Sequence, residues 1–232
     1  MAVTEFFSSS SFFALTVSLL AYEAGLYVRK KTKLSLFNPL LLAIAAVISL
    51  LLLFRIEYTA YEEGSRILKE MLTPATVALA IPLYRQLKIL KKNGIAILAG
   101  VLAGVLTSLI STLALAFLFS LNHREYVTLL PKSITTAIGM GMSQELGGMV
   151  TITVAAIVVT GIVGNMLGEV ICRIFHIREK IAVGLALGTA AHAIGTVKAL
   201  ELGEIQGAMS SLAIVAAGLF TVIGANVFAL LY

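Results

Sequence analysis

Aspartate is absent from this 232-residue chain, and cysteine occurs once, at Cys172. A single cysteine excludes an internal disulfide and leaves a thiolate metal site without a second sulfur, so Cys172 reads as a small residue packed in a helix. Without aspartate, and with His123, His176 and His192 scattered over different segments, no Ser-His-Asp, Cys-His or metal-ligand spacing can be drawn. No phosphate loop occurs either. The sequence therefore predicts no enzyme, no metal and no cofactor, and any transport would run on gradients. Charge is scarce too: 12% of residues are charged against 59% hydrophobic, and the mean hydropathy is +1.00. Such a chain is an all-α polytopic membrane protein with room for roughly seven or eight spans and no sizeable soluble domain. The net charge of +5 lies mostly in short loops, where it reports membrane orientation and not nucleic-acid binding. The N-terminus, MAVTEFFSSSSFF, has no basic residue before its apolar run, so a cleaved signal peptide is not expected.

In chain order, residues 12–28 form a first apolar run that ends in Arg29, Lys30, Lys31 and Lys33, a cytoplasmic marker. Asn38 and Pro39 open a second run over 40–54, with Asn38 a polar group at its mouth. Residues 55–70 are mixed and acidic on balance, which predicts a short interfacial helix away from the cytoplasm, using Tyr58 and Tyr61. In 72–87, Pro74 and Pro82 lie within apolar sequence and predict a kinked or unwound helix. It ends in a second basic cluster, Arg85, Lys88, Lys91 and Lys92. The long span 95–121 carries Gly100, Gly104, Ser108, Ser111 and Thr112, read as a packing stripe. Another span, 149–171, precedes the third basic cluster at Arg173, Arg178 and Lys180. Glu169, near its end, reads as a structural hydrogen-bonding group. His192 lies between Gly188-Thr189 and Gly195-Thr196, and 209–231 is the last apolar run.

The stretch 129–148, LLPKSITTAIGMGMSQELGG, breaks this pattern with chemistry. Pro131 can open a helix, Lys132 places a charge in its first turn, and Ser133, Thr135 and Thr136 add hydroxyls. Gly147 and Gly148 loosen the backbone beyond. A charge at bilayer depth costs on the order of 2.5–3.5 kcal/mol, so a helix that only fills lipid has no use for Lys132. The charge markers also conflict with the count of apolar segments. The chain is outside near Asn122 and inside at Arg173, yet two apolar segments lie between. Either the third basic cluster is misleading, or 131–148 enters and leaves on one face as a re-entrant or broken helix; the glycines favour the second. Setting Pro74 over Pro131 also aligns Ala80-Ile81 with Ala137-Ile138, a faint two-fold repeat with halves of about 1–122 and 123–232. Paired broken segments suit a secondary transporter, where half-helix N-termini and a lysine would hold a small carboxylate.

The runs LPKSITTAIGM (130–140), GTAAHAIGTVKALELGE (188–204) and GAMSSLA (207–213), with NPLLLA (38–43) and TPATVALAIPLY (73–84), resemble the LrgB/CidB family of bacterial membrane proteins. The resemblance covers nearly the whole chain as a single membrane domain, 1–232. It implies either of two activities: carriage of small carboxylates, as in the similar plastid glycolate/glycerate transporter, or holin- and antiholin-like control of murein hydrolase activity and lysis. The second implies a separate LrgA-like membrane partner and a bacterial cytoplasmic-membrane location. Glu145, in the pair Gln144-Glu145, departs from the less charged residues expected there, and is either a coupling group or an interfacial residue.

Competing readings attend each candidate. Lys132 at a helix end can snorkel to headgroups, but its hydroxyl neighbours favour a substrate-facing role. His192 alone would be a satisfied polar group between helices; its flanking Gly-Thr pairs make a coupling role equally credible. The expected substrate-binding set is Lys132, Ser133, Thr135, Thr136, Asn38, Thr189, His192, Gly195 and Thr196, with Pro74, Pro82, Pro131, Gly147 and Gly148 marking broken helices. The leading expectation is a secondary carrier of glycolate-, lactate- or pyruvate-like carboxylates, working by alternating access and as a homo-oligomer, with a dimer favoured. The alternative is the antiholin-like regulator.

Overall fold

The structure, a computed structural model, describes residues 12–32 and 37–232. Lys33 and the N-terminal segment 1–11 lie outside the described residues. Every regular element among the described residues is a helix. By length and composition, Arg66–Arg85, Leu87–Leu118, Val150–Ile174, Lys180–Leu202 and Glu204–Ala229 are long and apolar enough to cross a membrane. The chain forms two compact units, Met1–Ala78 and Leu79–Tyr232.

The first unit holds α1 (Phe13–Thr32), α2 (Pro39–Phe54), α3 (Tyr58–Gly64) and α4 (Arg66–Ala78). Helices α1 and α2 meet where Gly25 leaves no room for a side chain: a Cβ there would lie 2.7 Å from the Pro39 carbonyl oxygen. The expected short helix after residue 55 is α3, and its Tyr61 hydroxyl is 2.7 Å from that of Ser18 on α1. Asn38 caps α2, its side-chain oxygen accepting from the amides of Leu40 at 2.8 Å and Leu41 at 3.2 Å. Asn38 therefore serves as a helix cap, and it is not among the residues that line the cavity described below. Pro74 lies inside α4, not at an unwound point.

The second unit contains α5 (Ala80–Arg85), α6 (Leu87–Leu118), α7 (His123–Leu129), α8 (Thr136–Glu145), α9 (Val150–Ile174), α10 (Lys180–Leu202) and α11 (Glu204–Ala229). Pro82 occupies the first turn of α5, where its missing N–H costs nothing, and the helix is interrupted just before it at Leu79, so the expected break falls between the two prolines.

Two helical hairpins organise this unit. In the first, α7 runs to a turn at 130–135 and α8 comes back. The reversal is fixed by pairs whose numbers rise on one side as they fall on the other. A Cβ on Gly139 would lie 3.6 Å from the Pro131 carbonyl, and one on Gly148 would lie 3.0 Å from the Thr128 hydroxyl. Gly147, at φ 78°, makes the left-handed turn that sends the chain into α9, where Thr153 hydrogen-bonds Ser143 at 2.7 Å. Gly147 and Gly148 thus sit at the base of the hairpin, whereas the break itself is at 130–135.

The second hairpin is α10, which scans as one span but folds back at Ala191 (φ −129°, ψ 17°) and His192 (φ 42°, ψ −135°). Its first arm runs with α11: Gly184 faces Gln206 and Met209, and Gly188 faces Ser210 and Ala213. Its second arm runs against α11, since Thr196 bonds Ser210 at 2.8 Å while Gly207 faces Leu200. Gly195 packs on the Leu187 carbonyl across the fold. Ten residues in α8 amount to about 15 Å, half of a roughly 30 Å hydrocarbon core. An arm of that length is too short to cross the core, which suits a hairpin that returns to the face it started from.

Helix directions follow. Gly100 and Gly104 of α6 face Leu185 and Thr189, so α6 runs with the first arm of α10, and α9 runs against it through Gly164 with Ala191 and Gly168 with Leu187. Of the candidate spans wholly within this unit, α6, α9 and α11 do not fold back. Hairpin 1 enters from the face that holds Asn122, and hairpin 2 from the face that holds Arg173, Arg178 and Lys180. Only α9 crosses between Asn122 and Arg173, which resolves the parity conflict as a re-entrant segment.

This topology predicts thiol accessibility in a Cys172→Ala background. Cysteines placed at Asn122, Gln144 and Leu230 should react with an impermeant maleimide from one side of the membrane, and those at Arg178 and Glu204 from the other. Reaction of position 144 from the side of position 178 would make hairpin 1 a crossing.

Candidate functional site

The two tips converge on the middle of α6 and α9. Ile157 of α9 touches both: its side chain abuts Gly139 of hairpin 1, and its carbonyl oxygen is 3.0 Å from His192 Nε2 in hairpin 2. Between the tips and α6 lies a cavity of about 960 Å³. Its inner end is polar, with Ser108, Ser111, Lys132, Ser133, Thr160 and Thr189. From there it runs along α6 past Gly104 and Gly100 to Asn93 and Glu179 at the basic face.

Lys132 is the only cation in the lining. It is half-buried, and its Nζ donates to Ser108 Oγ at 2.9 Å, with Ser133 Oγ at 3.5 Å and the two hydroxyls 3.1 Å apart. Among the described residues no carboxylate pairs with it. An ammonium at bilayer depth held only by hydroxyls lacks its counter-charge, and an anion between Lys132, Ser108 and Ser133 would supply it. The backbone adds to this. Pro131 interrupts the helix ladder, and α8 starts at the tip with Thr135 as N-cap making no side-chain bond, which leaves the positive end of a half-helix near Lys132.

Other expected residues fall elsewhere. Thr135 and Thr136 begin α8 and are not in the cavity wall. Thr196 is buried and bonds the His192 carbonyl at 3.0 Å as well as Ser210, a fastening of hairpin 2. Gly195 provides close approach of the two arms. His192 is buried behind the wall, in a left-handed conformation uncommon for a side-chain-bearing residue, with Gly161 vacating the space under its ring. Glu145 is exposed at the end of α8, at the hairpin base and away from the cavity, as an interfacial residue would be. Glu169 forms structural ion pairs, 2.8 Å to Lys198 and 3.0 Å to Arg173, pinning the second arm of hairpin 2 to α9.

Two groups escaped the sequence reading. Gly100, Gly104, Ser108 and Ser111 were assigned to packing; the two glycines do pack on α10, but the same face is the cavity wall. Residues 100, 104, 108 and 111 share one helix face, which was the available signal. The second group is a fully buried knot of hydroxyls at hairpin 1. Thr153 Oγ1 donates to the Thr128 carbonyl at 2.9 Å and lies 2.7 Å from Ser143 Oγ, whose hydroxyl can donate to it, while Thr128 Oγ1 accepts from the Met149 amide at 2.8 Å. Thr128 sits at the end of a half-helix, where its carbonyl would otherwise be unpaired.

Thr153→Val removes that donor without changing the shape. It should lower unfolding stability by about 1–3 kcal/mol in a denaturation experiment on purified protein. Gly94→Ala, where an added Cβ meets nothing within 4 Å, is the control and should change little.

Comparison with known proteins finds relatives along nearly the whole chain. Residues 18–231 match the LrgB-like family. The antiholin-like protein LrgB of Bacillus subtilis (strain 168) is 38% identical over 220 residues, covering 94% of this chain and 95% of that protein. The antiholin-like protein LrgB of Bacillus cereus (strain B4264) is 35% identical over 213 residues, covering 91% of this chain and 93% of its own. The uncharacterized protein YwbG of Bacillus subtilis is 36% identical over 212 residues, 91% of this chain and 94% of that one. No solved structure matches. A family match that takes in both hairpins and the cavity between them, with relatives of equal length, makes this chain a multi-pass membrane protein of the LrgB family.

Proposed function

We propose that the protein is an antiholin-like membrane protein that restrains murein hydrolase activity and lysis, seated in the bacterial cytoplasmic membrane with its basic face inward and acting with an LrgA-like partner. The observation that carries this is similarity over more than nine-tenths of the chain to relatives named antiholin-like. The positive-inside bias of Arg85, Lys88, Lys91, Lys92, Arg173, Arg178 and Lys180 supports the orientation.

A second reading has its own observation. The cavity around Lys132 supports a carrier of small carboxylates, as a homo-oligomer and with His192 as the coupling group. Opposed hairpins meeting at mid-membrane, a half-helix N-terminus and an unpaired lysine are the parts such a carrier uses. The cavity reaches the basic face, so the arrangement corresponds to access from the cytoplasm.

One pair of assays separates the readings. In a strain lacking its own homologue, the protein should delay detergent-induced autolysis and weaken murein hydrolase bands, and should lose both effects when an LrgA-like partner is deleted. In proteoliposomes the carrier predicts saturable uptake of labelled glycolate, lactate or pyruvate. That uptake should fall at least tenfold in Lys132→Ala and lose its response to a pH gradient in His192→Gln. No uptake, or equal leakage of uncharged solutes, sinks the carrier; an autolysis rate indifferent to the protein sinks the regulator.

A further inference from the structure

We infer that the cavity is amphiphilic by construction and takes a monocarboxylate bearing an aliphatic tail, bound head-first with the carboxylate at Lys132. This rests on the carboxylate reading and specifies the class of ligand within it. The polar groups of the wall are gathered at the inner end, around Lys132, Ser108, Ser111, Ser133 and Thr160. Between that end and the mouth the wall is Ala96, Gly100, Ile181, Ala182, Leu185 and Ala186. Gly104 to Ala96 is eight residues of helix, about 12 Å, so this throat is several methylene groups long. A volume of about 960 Å³ also exceeds what a two- or three-carbon acid fills.

The lining decides which end of the ligand goes where. A carboxylate left in the throat would face alanine, isoleucine and leucine side chains with no donor, and would approach Glu179, the one acid in the lining. At the tip it meets Lys132 Nζ and two hydroxyls already within 3.5 Å of one another. A second charge on the ligand finds no second cation in the wall, so dicarboxylates are disfavoured. The throat then rewards apolar length, since each methylene taken from water onto that wall is stabilising.

The test is equilibrium binding of radiolabelled acetate, butyrate, hexanoate and succinate to the full chain in lipid nanodiscs, with empty nanodiscs as background. Affinity should rise about two- to fourfold for each added methylene from acetate to hexanoate, and succinate should bind no better than acetate. Ala182→Phe, which fills the throat, should abolish the gain with length. Ile181→Asn, at a half-buried position in the first turn of α10, should flatten the series without filling space. Lys132→Ala should remove binding of every member. A flat series that still depends on Lys132 would overturn the tailed ligand and leave a small-carboxylate site standing. Binding of none, or binding indifferent to Lys132, would remove both.

Discussion

A polypeptide that breaks its hydrogen-bond ladder inside a membrane must find partners for the freed N–H and C=O groups in protein, because lipid supplies none. That requirement shapes the second unit. Hairpin 2 reverses at Ala191 and His192, and the turn is enclosed because the surrounding helices carry glycine where they approach it. Gly161, Gly164 and Gly168 lie along α9, and Gly184, Gly188, Gly195 and Gly207 lie between its own arms and α11. At Gly184 and Gly188 the obstacle to a side chain is the backbone of α11, which cannot yield as a rotamer can. Hairpin 1 meets the same demand with hydroxyls, Thr153 pairing the Thr128 carbonyl just before Pro131 and Thr128 taking the Met149 amide at the start of α9. The cavity follows, since two tips and two crossing helices meet where small residues predominate and the space is not filled.

The two tips are unequal. Hairpin 1 brings charge, in Lys132 and in the N-terminal end of α8. Hairpin 2 brings conformational tension: His192 holds a left-handed backbone, which side-chain-bearing residues occupy at a cost of order 1–3 kcal/mol and only when the surroundings enforce it. Here the enforcement is its ring bond to the Ile157 carbonyl, the fastening of Thr196 to Ser210, and the Lys198–Glu169 ion pair further down the arm. Site and strain meet at Ile157, which abuts both hairpins. The two tips are thus both in contact with one residue of α9.

Hairpin 1 was legible in the sequence because a proline, a lysine and a count of charge markers pointed to it independently. Hairpin 2 was not. Its reversal uses alanine and histidine, neither of which punctuates a helix, and its two arms together have the length and hydropathy of one ordinary span. Pro74 misled, since it lies inside α4, whereas Pro82 follows the interruption at Leu79. Proline removes a donor, but near a helix start that donor has no partner to lose, and Pro82 occupies such a place. Asn38 was seen as polar but not as a cap, though the Asn-Pro pair at a helix start is the pattern a cap presents. The α6 stripe could not be resolved by spacing, because the spacing that lets helices pack also lines a cavity wall; only the position of Lys132 against Ser108 separates the two.

Lys132 also constrains how the two functional readings relate. A protein that acted only by assembling with a partner would present its specific groups on an outer surface, where they cost little. Lys132 instead lies at the inner end of a cavity that reaches the basic face, beside hydroxyls and without a carboxylate among the described residues. Snorkelling would relieve an isolated lysine near a helix end, but its Nζ is turned inward to Ser108 on a crossing helix. Among the described residues no carboxylate offsets the charge there. An anion in the cavity would supply that counter-charge, and on the proposed antiholin-like reading the cavity would then be a second feature of the chain beside any partner surface.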